Sequence, residues 1–182
     1  MKKVKGALLK FFVKGVRANK SGVYETIIPE EDIKIINTRI LDAAWYPFTT
    51  FKNSFNAIVK VFAKGDMNIV YKMGYNAGKE TIERLYRGPM MKRQLRDAVD
   101  SYNNLFKLWF NFGKQYGKIE SENELNIYIE EFDPDFEAFY HVARGWMSSF
   151  FEGYLDTKVT TKFLEKSWNG DTRTVVNITW NF

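Results

Sequence analysis

Apolar residues recur every three or four positions through most of the first 112 residues, which is the spacing of amphipathic helices. The first predicted helix runs from about Lys5 to Ala18. Residues that start helices (proline, aspartate, threonine) and glycines that end them divide the rest into further helices. These predicted helices cover Pro29 to Thr38, Thr49 or Thr50 to Gly65, Asp66 to about Arg87, and about Met91 to Phe112, which is the long central helix. Within them, Gly74 and Gly78 indicate a close crossing with another helix.

The pattern changes after Gly113, where apolar and polar residues alternate over 125–130, as in a half-buried strand. Asp133-Pro134-Asp135 predicts the start of a helix that ends near Leu155. Two runs rich in Thr, Val, Phe and Trp follow, and Asn169-Gly170 between them predicts a hairpin. The elements together predict an α+β fold, in which a helical N-terminal half packs on a C-terminal antiparallel sheet.

A length of 182 residues is typical of one domain, so we predict a single domain over 1–182. Its helical part covers about 1–112, and its strand-helix-hairpin part covers about 113–182. The longest stretches without a charged residue are nine long, well short of the roughly 20 apolar residues of a spanning helix. Lys10 and Lys14 interrupt the apolar stretch that a secretory signal would need. We therefore expect a cytoplasmic location.

The scarcity of catalytic side chains argues against an enzyme. The chain has no cysteine and one histidine, His141, so thiol chemistry and two-histidine metal sites are excluded. A nucleophile, an adjacent base and an orienting group cannot be assembled from one histidine. We interpret His141 as a structural residue. The acidic residues Glu130, Glu131, Asp133 and Asp135 lack calcium-loop spacing, so we interpret them as a solvated edge and predict no metal.

Aromatic residues make up 17% of the chain, enough to line a ligand cavity. An apolar cavity between the helical and sheet parts is one hypothesis for them, and ordinary core packing is the other. The candidate ligand-binding residues are Trp45, Tyr46, Phe51, Phe55, Tyr102, Phe106, Trp109, Phe132 and Phe136.

Basic residues form two groups. One surrounds the Gly88-Pro89 turn, where a helix start could add backbone donors for an anion, and comprises Arg84, Arg87, Arg93 and Arg96. The other is a stripe on the first helix, which could dock on an anionic membrane surface: Lys3, Lys10, Lys14 and Arg17. The net charge of +5 is modest and no nucleic-acid-binding motif accompanies it, so solvated surfaces are favoured in both places and nucleic acid is not expected as a partner.

The order of short motifs resembles the haem-nitric-oxide/oxygen-binding superfamily over nearly the whole chain. The resemblance is closer to its haem-free relatives, the four-vinyl-reductase-type small-molecule-binding domains and an uncharacterised bacterial family found in myxobacteria. The motifs are Val4-Lys5-Gly6, Trp45-Tyr46-Pro47, Leu108-Trp109-Phe110-Asn111-Phe112-Gly113, Phe150-Phe151-Glu152-Gly153 and Trp180.

The resemblance implies a hydrophobic cavity, but two features argue against haem. The family's axial histidine would lie on the central helix, and Met91 to Phe112 contains none. The family's Tyr-x-Ser-x-Arg propionate clamp corresponds to 128–132, where only Tyr128 matches and two glutamates would repel carboxylates. No cofactor is therefore predicted.

We predict a non-catalytic binding or signalling module for a small apolar or amphipathic molecule, with a protein partner that reads the ligand-dependent change. A homodimer is the expected assembly. The alternative is a structural, protein-interaction or membrane-surface docking domain with no ligand, whose aromatic residues are all core.

Overall fold

The computed structural model describes residues 1–85 and 95–181, and their side chains except those of 83–85. The helices are α1 (Gly6–Ala18), α2 (Glu30–Ile36), α3 (Phe48–Val61), α4 (Met67–Leu85), α5 (Leu95–Trp109) and α6 (Glu137–Leu155). The strands are β1 (Lys3–Lys5), β2 (Trp45–Pro47), β3 (Lys114–Ser121), β4 (Glu124–Glu130), β5 (Val159–Glu165) and β6 (Thr174–Trp180). The predicted α+β class is confirmed. Within the described ranges, no helix has the length and apolarity needed to span a bilayer.

Contacts divide the chain into two compact units. One unit comprises Met1–Asp66 and Lys107–Phe112, and the other comprises the described residues of Met67–Phe106 and Gly113–Phe182. Helices α1, α2 and α3 belong to the first unit, and α4 and most of α5 belong to the unit that contains the four-stranded sheet.

In the first unit, α1 and α3 enclose a core of phenylalanine rings. Phe12 lies 5.3 Å from Phe51 and 4.7 Å from Phe55, measured between ring centroids. Strands β1 and β2 pair antiparallel, with Val4 opposite Tyr46. Val4 also forms an isolated antiparallel bridge with Phe110, which ties the short 107–112 segment to this unit.

The predicted threonine cap of α3 is wrong. The helix begins at Phe48 and Pro47 precedes it, since the fixed φ of proline suits a helix start. The Thr50 hydroxyl lies inside the helix and donates a 2.6 Å hydrogen bond to Asp32 of α2. Asn53 donates a second bond, of 2.7 Å, to the same carboxylate. These bonds satisfy a carboxylate that is 3% exposed.

In the second unit, four antiparallel strands form a sheet in the order β3-β4-β6-β5. The predicted hairpin is confirmed as β5 and β6, although its connection is longer than an Asn-Gly turn and holds a 3₁₀ turn over Ser167–Asn169. Strand β3 was not predicted. Helix α6 begins at Glu137 and not at Pro134, because Asp133 and Phe136 close a turn before it.

Helices α4 and α6 cross at backbone contact, as Gly74 and Gly78 predicted. A Cβ at Gly74 would overlap the carbonyl oxygen of Val142, and a Cβ at Gly78 would overlap Ser149. On the facing helix, a Cβ at Gly145 would overlap the carbonyl oxygen of Tyr71. The contacts advance along both helices in the same direction, so α4 and α6 are parallel. This crossing positions the site described next.

Candidate functional site

An open cavity of about 420 Å³ lies in the second unit, between α4 and the C-terminal part of α6. It borders the crossing of α4 and α6, because Ser149, Ile82 and Gly153 line it and also take part in the helix contacts. Its lining residues come from α4, from α6 and from the segment that joins α6 to β5. They are Tyr75, Lys79, Ile82, Ser149, Glu152, Gly153, Asp156, Thr157 and Lys158.

The apolar side of this cavity is formed by Ile82 and Gly153. A Cβ at Gly153 would lie 3.0 Å from Cγ2 of Ile82, so the isoleucine packs directly on the backbone of Gly153. Ser149 is buried, and its hydroxyl donates to the carbonyl oxygen of Trp146 at 3.1 Å. The Ser149 hydroxyl is therefore already hydrogen-bonded within α6 and offers no free donor to the cavity.

The polar side is a cluster of Tyr75, Glu152 and Lys158. The Tyr75 hydroxyl donates to Glu152 Oε2 at 2.5 Å, and Lys158 Nζ donates to the same oxygen at 2.8 Å. The hydrogen bond to Glu152 raises the pKa of Tyr75, and it also raises the pKa of Lys158. Both groups keep their protons near neutral pH. Since the Lys158 side chain is 83% exposed, it can turn toward a ligand at small cost.

Five of the predicted ligand-binding residues lie in the first unit. Phe51 and Phe55 are fully buried in the phenylalanine core, with parallel rings 6.2 Å apart. Trp45 and Tyr46 lie in β2, where Trp45 is 40% exposed under the Lys5 amino group and the Tyr46 hydroxyl accepts from the Leu41 amide. Trp109, at the end of α5, is partly buried.

The other four lie in the second unit and are buried. Tyr102 contacts Phe150 and Phe151 of α6, at centroid distances of 5.5 and 5.7 Å, and burial raises its pKa. Phe106 contacts Phe132 at 5.7 Å, and Phe136 contacts Phe139 at 5.6 Å. None of the nine predicted residues lines the α4–α6 cavity. Their role as ligand contacts stays a prediction.

The predicted anion patch falls mostly outside the described residues. Arg87, Arg93 and the side chain of Arg84 lie there, while Arg96 is exposed on the first turn of α5.

In the N-terminal stripe, several cations are engaged within their own unit. Lys10 pairs with Asp42 at 2.9 Å, and Arg17 donates to the carbonyl oxygens of Ile36 and Thr38. The stripe is therefore less available to an anionic surface than its sequence indicates.

The residues at the haem-family positions have other partners in this structure. The described central helix, α5, holds no histidine, and His141 lies on α6 with Nε2 3.6 Å from Glu137. Tyr128 stacks on Tyr116 at 4.9 Å, and Glu130 accepts from Tyr116 and Arg173. These residues do not fit a haem held by a central-helix histidine and a Tyr-x-Ser-x-Arg clamp.

Two other residues of the predicted acidic edge, Glu131 and Asp133, also have protein partners. Glu131 pairs with Lys114, and Asp133 accepts the Asp135 amide at 3.2 Å. Across residues 1–85 and 95–181, the structure holds no group of three or more His, Cys, Asp or Glu side chains placed to bind a metal ion.

Sequence reasoning missed the cavity-lining residues. Gly74 and Gly78 signal the crossing, but Tyr75 and Glu152 are 77 positions apart and no sequence pattern connects them. Only the register of α4 on α6 brings them into contact.

No family model matches this chain, and no curated protein matches it. Solved structures do match. An H-NOX protein from S. oneidensis superposes with a TM-score of 0.68 at 10% identity, covering 98% of this chain and 96% of that one. An H-NOX protein from K. algicida gives 0.67 at 15% identity, with 98% and 97% covered. A trafficking protein particle complex subunit 3 from Naegleria fowleri, covalently bound to palmitic acid, gives 0.54 at 16% identity, with 72% and 93% covered. At these identities the likeness concerns the fold, and the fold of this chain is H-NOX-like.

Proposed function

We propose that this chain is a non-catalytic binding or signalling module that takes a small hydrophobic or amphipathic ligand and functions without haem. The observation that carries the proposal is the open α4–α6 cavity of about 420 Å³, which has an apolar side and a charged side. Its volume lies within the range of small-molecule sites, and such sites combine apolar walls with a few polar groups.

The fold neighbours support an apolar ligand. Among these neighbours, the H-NOX family is associated with heme, and the trafficking protein subunit is covalently bound to palmitic acid. One architecture thus accommodates chemically different apolar molecules. We also propose kinship with the haem-free side of the superfamily, the four-vinyl-reductase-type domains and the myxobacterial family, because the axial histidine and the clamp are missing here.

An amphipathic ligand fits the two sides of the cavity. Its apolar part would contact Ile82 and the backbone of Gly153, while a polar group would contact Lys158 or the Tyr75 hydroxyl. A ligand that draws Lys158 away from Glu152 would weaken their hydrogen bond. It would also alter the start of β5, because the Val159 amide donates to Glu152 at 3.5 Å. A ligand-dependent signal requires that the ligand bind one arrangement of these groups better than the other.

The first experiment compares native and denaturing masses of the purified protein and records its absorption spectrum. An additional non-covalent mass without a Soret band is the expected result, and the native mass also tests the predicted homodimer. A Soret band would contradict the haem-free part of the proposal.

The second experiment titrates palmitate into the wild type and into two variants, Gly153→Phe and Asn76→Phe. Gly153→Phe places a ring in the cavity beside Ile82, and Asn76→Phe places the same ring on an exposed position of α4 outside the cavity. We expect saturable binding that weakens at least about tenfold in Gly153→Phe and is unchanged in Asn76→Phe, since losing one buried contact set costs about 1.4 kcal/mol or more. Equal affinity in both variants would remove the cavity from the proposal. A bare native mass together with no saturable binding would overturn the ligand-binding function.

One observation favours the alternative, a protein-interaction or membrane-surface docking domain with no ligand. The first unit exposes several large apolar side chains that its core does not cover: Phe11 at 51%, Leu41 at 52%, Phe62 at 63% and Leu108 at 61%. Exposed apolar residues on a basic protein are compatible with a docking face.

A further inference from the structure

Arg144 on α6 lies over two aromatic rings and forms no ion pair with any side chain that the structure describes. Its guanidinium carbon lies 4.9 Å from the centroid of the Tyr71 ring and 4.8 Å from that of Phe163. The side chain is half-buried, its Nε is buried without a hydrogen-bond partner, and burial lowers its pKa. Among the described residues, no carboxylate lies within ion-pair distance of it. A partly desolvated cation without an anion is costly.

Arg173 in the same unit shows how this chain neutralises an arginine in a similar setting. Its guanidinium carbon also lies over a tyrosine ring, 4.8 Å from the centroid of Tyr128. It differs in making a two-pronged contact with Glu165, at 3.0 Å from both Nε and Nη2, and a further contact with Glu130 at 3.4 Å. The aromatic contact alone therefore does not account for the missing anion at Arg144.

His141 lies one turn before Arg144, so both side chains point to the same side of α6. Its ring contacts Phe163 at 5.1 Å and Trp168 at 5.8 Å. Its Nδ1 is buried without a hydrogen-bond partner, like the Nε of Arg144. Two nitrogens on one helix face are thus withdrawn from water with no hydrogen-bond partner from the described protein, which is rare in folded proteins.

We propose that Arg144, flanked by Tyr71, Phe163 and His141, is a binding site for the oxyanion of a carboxylate or phosphate group. The guanidinium offers planar, paired donors that match two oxygens of such a group, and the aromatic rings hold the fork in place before binding. The site lies in the second unit, and it does not depend on the α4–α6 cavity or on the proposed function.

A bound oxyanion would change the charge that His141 experiences. Burial first, and the positive charge of Arg144 second, lower the pKa of His141. The other charged groups acting on this histidine are Glu137, which raises its pKa, and Lys166, which lowers it. Neutralising Arg144 removes one of the lowering effects, so oxyanion binding would raise the pKa of His141.

The test uses proton NMR, because a chain with one histidine gives a single pair of imidazole ring signals, and both belong to His141. His141 is titrated with pH in chloride, in acetate and in inorganic phosphate at the same ionic strength. We expect acetate, phosphate or both to raise the pKa of His141 saturably, by about 0.5 or more, relative to chloride. The acetate and phosphate arms show which oxyanion the site takes.

Three variants complete the test. Arg144→Gln removes the donor fork and should abolish the anion effect, while Arg173→Gln removes the neutralised arginine and should leave it intact. Thermal unfolding of each variant checks that it is folded, and Arg144→Lys, which keeps the charge but not the fork, serves if Arg144→Gln does not fold. Equal pKa values of His141 in all three salts would overturn the proposal. So would an anion effect that persists in a folded Arg144 variant.

Discussion

The pKa of His141, lowered by burial below its ordinary value of 6.5, makes stability depend on pH. In the folded protein the imidazole stays neutral, whereas in the unfolded chain it accepts a proton near pH 6.5. Below that pH the unfolded state binds more protons, so the contribution is complete at higher pH and declines as pH falls toward the folded-state pKa. We expect wild type to lose stability relative to His141→Gln between about pH 7 and pH 5.

Urea unfolding of both proteins across this range measures the effect. The carboxylates are the same in the two chains, so the difference between the curves belongs to the histidine alone. Parallel curves would show that His141 keeps its ordinary pKa in the folded protein.

Individual residues also show where sequence reasoning stops. Thr50 lies three positions after Pro47 and has the chemistry of a helix cap, yet its hydroxyl donates to the buried Asp32 carboxylate, which lies 18 positions earlier. Likewise, the interpretation of His141 as structural did not anticipate that it lies beside an arginine without an anion. Neighbouring residues in the sequence predict only the most frequent hydrogen-bond partner of a side chain. A buried polar group bonds to the group that the tertiary fold places beside it.

Substitution of Gly145 tests the close contact between α4 and α6. In Gly145→Ala, the new methyl group would overlap the carbonyl oxygen of Tyr71, and backbone cannot move aside as a flexible side chain does. We expect a loss of at least about 1–3 kcal/mol in the free energy of unfolding, measured by chemical denaturation.

Gly15→Ala is the matched control, because Gly15 is also inside a helix and its added Cβ would lie 3.3 Å from the terminal methyl of Ile58. The higher helix propensity of alanine should make this variant equal to or up to about 1 kcal/mol more stable than wild type. Similar losses at both glycines would contradict the special role of the crossing.

At the level of elements, periodicity predicted most helices and the terminal hairpin, but not β3. This strand is at the edge of the sheet and only Gln115 in it is buried, so it lacks the alternation of apolar and polar residues. Gly117 within it also looks like a turn residue. Glycine is needed at this position because a Cβ there would lie 2.5 Å from Cγ1 of Val99. The Tyr75–Glu152–Lys158 cluster was equally invisible, because it depends on helix register.

For the whole molecule, the net charge of +5 and the exposed apolar residues lead to a prediction about membranes. We expect association with phosphatidylserine vesicles at about 20 mM salt and its loss by about 150 mM, where screening acts over about 8 Å. A flotation assay measures the bound fraction, and neutral vesicles are the control. Binding that persists at 150 mM salt would favour the docking alternative over a ligand-binding module.

More of the fold than of the candidate site was predicted from the sequence. The order of short motifs indicated an H-NOX-like architecture, and superposition on solved H-NOX proteins supports that fold at 10–15% identity. Motif order reflects topology, which distant relatives keep. The grouping of α4 with the sheet unit was not foreseen, because the sequence gives no signal for which helix its glycines face.

The glycine crossing restricts how the second unit can move. Backbone contacts recur at successive turns, with Gly74 at Val142, Gly78 at Ser149 and Ile82 at Gly153. Sliding one helix by a turn of about 5.4 Å would drive side chains into the opposing backbone. A slide of α4 along α6 by one turn is therefore sterically blocked, so we expect a ligand bound beside Lys158 to move the two helices apart and not along each other. Motion would then be largest at the Lys158 end and smallest at Gly74.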